Sequence, residues 1–115
     1  MERIAIVGGP KWTDRHAVEM LVKSLPANTV VFVDEDPWTV QASTLRQCRC
    51  SHLVAFVARL PGGATQAAVQ ARRKRDAALY GLVQRVIVFG EMTEDREATL
   101  RQYEANGLPV ERTRE

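Results

Sequence analysis

An α/β domain built on a mainly parallel sheet is the fold that the sequence predicts, from three observations. Short apolar runs rich in Val and Ile recur at residues 3–8 (RIAIVG), 29–33 (TVVFV), 52–58 (HLVAFVA) and 85–89 (RVIVF). Such runs fit strands buried on both faces. Segments with helical spacing separate them, and strand–helix alternation implies right-handed crossovers with helices on both sheet faces. Finally, two of the runs lead into glycine-bearing loops, Gly8-Gly9 and Gly62-Gly63, of the kind that close a strand and open a helix. The expected architecture is a single three-layer, Rossmann-like domain over residues 1–115, with four or five strands.

Each element has its own warrant. After the first strand, Thr13 is placed as an N-cap with Asp14 in the first turn, and Ala17, Val18, Leu21, Val22 and Leu25 recur at helical spacing up to Pro26. The second strand ends in the acidic triplet Asp34, Glu35 and Asp36. Asp36 then caps a helix with Pro37 in its first position and an apolar face of Val40, Leu45 and Cys48. Thr65 opens an alanine-rich helix to about Leu82. Thr93 caps the last helix, with Glu94 and Asp95 in its first turn and Asn106-Gly107 as its C-cap signal. Leu108 to Glu111 add a short edge strand.

Composition narrows the function. The 115 residues carry 26% charged and 45% hydrophobic side chains, ordinary for one globular core. A net charge of +2 is too small for a nucleic-acid stripe, so no nucleic-acid partner is predicted. No apolar run reaches membrane-spanning length and the first residues lack the h-region of a signal peptide, so no membrane partner and a cytoplasmic location are expected. Homo-oligomerisation stays open. Cys48 and Cys50 are too close for an unstrained disulfide and read as free thiols. Cys48, Cys50 and His52 fall short of the four ligands of a structural zinc, so no metal and no cofactor are expected.

In doubly wound sheets the ligand crevice lies beyond the carboxyl ends of the strands. The loops Gly8-Gly9-Pro10-Lys11-Trp12-Thr13 and Pro61-Gly62-Gly63-Ala64-Thr65 occupy that position, and each feeds a helix N-terminus whose free N–H groups attract an anion. A phosphate or a carboxylate fits them, with tight turns as the plainer alternative for either loop alone; the two loops together favour a phosphorylated small molecule. Lys11 extends the first loop. Trp12 and Trp38 follow strand ends, where a ring either stacks on a base or packs its own loop. The triplet beginning at Asp34 stands where such folds place a ribose-binding acid; a solvated turn capped by Asp36 is the plainer alternative. G-x-G-x-x-G and the Walker pattern are both absent, against nicotinamide cofactors and standard NTPases. The basic run from Arg72 to Arg75 fans around its helix, and most of it is expected to be solvated.

The opening residues resemble the YspA-like branch of the SLOG superfamily, which is related to the LOG and DprA proteins. Gly8, Gly9, Trp12, Thr13 and Asp14 match its glycine, aromatic and Thr-Asp positions. The stretch SHLVAFVARLPGGATQAAVQA is similar to that family's third strand and the turn after it, with Pro61, Gly62, Gly63 and Thr65 in the place of the LOG phosphate-binding motif. The resemblance implies binding of a nucleotide-derived ligand with these loop residues. It departs from the pattern at Ala68, where the motif has glutamate, and at the acidic triplet. Residues 76–91 also resemble nucleoside deoxyribosyltransferase-like proteins. That likeness places Asp76 at the nucleophile's helix turn, and the paired carboxylates Asp34 and Glu35 are able to divide acid and nucleophile roles. Together they make a rival reading: an N-glycosidic hydrolase or transferase with Asp34, Glu35 or Asp76 as the catalytic acid or nucleophile. A third reading is an interaction domain whose pocket is degenerate.

Overall fold

The computed structural model describes residues 1–34, 39–47, 52–57, 60 and 63–114. Five strands, β1 (Arg3–Gly8), β2 (Val30–Asp34), β3 (Leu53–Val57), β4 (Arg85–Phe89) and β5 (Val110–Thr113), form one sheet of order β3-β2-β1-β4-β5, parallel throughout. The chain runs outward from β1 to β3, then crosses back to β4 on the other side of β1. The switch point therefore lies between β1 and β4, the position where this topology leaves a crevice.

Strand alternation sorts the core into two layers. Ile4, Ile6, Val31, Val33, Ile87 and Phe89 face α1 (Arg15–Ser24) and α2 (Val40–Gln47), meeting Val18, Val22, Ala42 and Leu45. Ala5, Val7, Val86 and Val88 face the opposite way, against Leu79 and Tyr80 of α3 (Gln66–Leu82) and Leu100 of α4 (Glu94–Ala105). The same alternation points Asp34, the last residue of β2, into the layer that holds α3 and α4.

Local chemistry departs from the sequence reading in a few places. Asp14, not Thr13, caps α1: its carboxylate accepts a hydrogen bond from the Ala17 N–H at 3.1 Å. Thr93 stands at the N-cap of α4 without a capping bond to a backbone N–H; its side chain instead helps to keep the Asp95 carboxylate ionised. The face of α2 is more polar than expected, with Gln41 and Thr44 buried beside Ala42 and Leu45. Its predicted cap Asp36, first residue Pro37 and face residue Cys48 lie outside the described residues. Thr65 caps α3 as anticipated, accepting from Ala68 N–H at 3.2 Å, and Gly107 takes a left-handed φ of 104° just past α4. Among the described residues no helix is long and apolar enough to cross a membrane.

Candidate functional site

A cleft of about 700 Å³ opens at the carboxyl edge of the sheet, a volume ordinary for a small-molecule site. Gly8 at the end of β1, Thr39 ahead of α2, Gly63 and Ala64 ahead of α3, and Thr93 to Arg96 at the start of α4 converge on it. Leu60, Val69, Ala98 and Pro10 supply apolar wall. One side is a face of α3: Arg72, Arg73 and Arg75 all line the cleft.

This corrects the expectation of a mainly solvated basic run. Arg72 and Arg75 are three residues apart and so share a face. Both are drawn inward by carboxylates. Arg72 Nε donates to Asp95 at 3.0 Å and its Nη2 to the Gly63 carbonyl at 2.8 Å, which ties the glycine loop to both helices. Burial pushes the Asp95 carboxyl up, but the bonds from Arg72 and Thr93 outweigh it and hold the group below its usual range. Arg73 and Lys74 are exposed, and only Arg73 of the two reaches the cleft.

Behind the cleft floor lies a buried ionic triad. Arg96 of α4 donates to Asp34 at 2.6 and 3.3 Å and to Asp76 at 3.0 and 3.3 Å, while Arg75 Nε adds a bond to Asp76 at 3.3 Å. Asp34 and Asp76 are 1% and 0% exposed. Burial alone would lower the affinity of the Arg96 guanidinium for its proton; the two facing carboxylates more than reverse that and raise it. Arg96 forms part of the cleft wall and so stands between these carboxylates and the cavity. The Tyr80 hydroxyl, buried nearby, has no hydrogen-bond partner among the described residues, and burial followed by the Asp76 charge pushes its pKa well above the ordinary value.

The glycines of the first loop are required by the protein's own backbone. A Cβ on Gly8 would sit 2.7 Å from the Phe89 carbonyl oxygen, and one on Gly9 only 1.7 Å from that of Glu91. Gly9 N–H donates to Phe89 O at 2.9 Å, so this loop is pinned against the end of β4. Gly63 differs: its φ of 97° needs glycine, yet the space where a Cβ would stand is open.

Of the residues singled out from sequence, Gly8 and Gly63 line the cleft and Thr65 caps the helix that borders it. Trp12 is buried; it packs on Phe89 with ring centroids 5.2 Å apart, and its Nε1 donates to the Asp14 carbonyl. Trp12 and Lys11 line an adjoining pocket, and the exposed Thr13 lines neither cavity. Glu35, Asp36, Trp38, Pro61 and Gly62 lie outside the described residues. His52 is bonded through Nε2 to the Val22 carbonyl at 3.0 Å, and the described residues hold no group of three metal-capable side chains.

Sequence reasoning missed Arg96 and the inward arginines. A signal for Arg96 existed: a cation in the first turn of a helix opposes the helix dipole and needs acids to hold it there. Gln41 was missed as well; it is fully buried beside Gly8, and neither amide atom is bonded among the described residues. Neither protein-family models nor curated proteins give a match to this chain.

Proposed function

We propose that the protein binds a nucleotide or nucleotide-derived phosphorylated ligand in the main cleft and does little or no chemistry on it. The observation that carries this reading is the meeting of the arginine face of α3 with the switch-point crevice. Arg72, Arg75 and Arg96 are committed to Asp95, Asp76 and Asp34, which fixes their orientation; Arg73 has no carboxylate partner among the described residues. A phosphate satisfies such a cation, and the N–H groups at the starts of α3 and α4 add donors. Glu94 works against an anion and makes the site selective for one that reaches Arg73. Leu60, Val69 and Ala98 offer apolar wall to a base. The resemblance of Gly8, Gly9, Trp12, Thr13 and Asp14 to the SLOG pattern supports the same ligand class, and the free-thiol reading of the cysteines supports a reducing, cytoplasmic setting.

The triad favours binding over catalysis. A carboxylate that serves as nucleophile or general acid must come within roughly 2.6–3.2 Å of a reacting atom. Asp34 and Asp76 instead spend their oxygens on Arg96 and face away from solvent.

Thermal denaturation and calorimetry with a panel of nucleoside mono-, di- and triphosphates test the reading. A ligand at 100 times its Kd adds about 2.7 kcal/mol of stability. Stabilisation by a phosphorylated nucleotide, lost in Arg73→Glu with the ligand-free Tm unchanged, is expected. No stabilisation at millimolar concentration, or multiple-turnover release of free base, would overturn it.

A further inference from the structure

The second pocket adjoins the main cleft, and its chemistry extends the ligand. It measures about 450 Å³ and shares Pro10 and Thr93 with the cleft wall. The loops that follow β1 and β4 bound it, so the two cavities flank the switch point along one edge of the sheet. Its floor is apolar: the buried Trp12, the buried Met92 and Pro10.

Two cations stand at its rim. Lys11 comes from the loop after β1, and Arg114 follows β5 on the far side of β4. Both are exposed, and neither has a hydrogen-bond or ion-pair partner among the described residues. Two other arginines, on β4 and β5, are paired instead: Arg85 with Glu2 and Glu111, and Arg112 with Glu97 and Glu104. Among the described residues that line this pocket, Glu91 is the one acid, against the two cations Lys11 and Arg114. Two unpaired cations drawn from separate parts of the chain over an apolar floor make an anion subsite with room for carbon.

We infer that the ligand is a nucleotide with a second anionic group, its first phosphate held at Arg73 in the main cleft and its second between Lys11 and Arg114. The inference rests on the reading above, that the main cleft takes a phosphorylated nucleotide. A ligand bridging the cavities gains from both cation sets with a single loss of translational freedom, so the second phosphate strengthens binding beyond what either half achieves.

Calorimetric titration with adenosine 5′-monophosphate, adenosine 3′-monophosphate and adenosine 3′,5′-bisphosphate tests this. The bisphosphate is expected to bind at least ten times more tightly than either monophosphate, and more steeply weakened by salt. In a Lys11→Ala, Arg114→Ala double variant that advantage should disappear while the affinity for the tighter monophosphate holds. Both side chains are exposed, so the variant keeps the fold, which its Tm verifies. Equal affinity of wild type for bisphosphate and monophosphate would overturn the second subsite and leave the main cleft standing. An advantage that survives the double variant would overturn it too. Failure of all three compounds to bind would overturn both readings.

Discussion

Arg96, in the first turn of α4, reaches Asp34 at the end of β2 with both terminal nitrogens, at 2.6 and 3.3 Å, although 62 residues separate them in the chain. The pair, completed by Asp76, joins the last helix to the second strand through the layer that underlies the cleft. Removing one member of a buried ion pair strands the other charge in low dielectric, at about 3–5 kcal/mol. Arg96→Met should therefore lower the stability measured by urea denaturation by that amount, and adding Asp34→Asn and Asp76→Asn should restore part of it. A loss below about 1 kcal/mol in the single variant would contradict the triad.

Tyr80 supplies a pH dependence. Its folded-state pKa is raised, first by burial and then by the Asp76 charge, while the phenol of the unfolded chain titrates near pH 10. Above about pH 10 the unfolded chain loses a proton that the native state keeps, which favours unfolding. The stabilising contribution is thus complete below that pH and is lost as pH rises. Tyr80→Phe should match or slightly exceed the wild type at pH 7, since the hydroxyl it removes has no partner among the described residues, and should gain on it progressively between pH 10 and 11. Parallel stability curves through that window would refute the assignment.

Two glycines separate close approach from helix propensity. Gly9→Ala drives a methyl group into the Glu91 carbonyl, so a loss of about 3 kcal/mol is expected, the upper end for forced overpacking. Gly81 lies in α3 with open space around it, and Gly81→Ala should stabilise by about 0.5–1 kcal/mol. Thermal unfolding of both variants checks the pair; a tolerated Gly9→Ala would mean the two loops are not in contact.

Strands β1 and β4 have the boundaries read from sequence because their apolar runs stop at glycine, where propensity and tertiary structure agree. Asp14 caps α1 one residue beyond the expected Thr13 because both are competent caps, and geometry alone chooses between them. The cleft was legible at Gly8, which ends a strand, and at Gly63, which stands just ahead of a helix. Its charged wall was not: Arg72, Arg75 and Arg96 sit in stretches whose composition reads as solvated helix surface. Their roles come from acids brought near by the crossover, with Asp76 20 residues before Arg96 and Asp95 23 residues after Arg72.

Amide chemical-shift mapping of labelled protein titrated with adenosine 5′-monophosphate asks whether a phosphorylated nucleotide occupies the switch-point cleft. Saturable shifts are expected, concentrated at Gly8, Gly63, Arg73, Thr93 and Glu94, with the exposed face of α1 undisturbed. Shifts absent at millimolar nucleotide, or centred away from the carboxyl edge of the sheet, would contradict that occupancy.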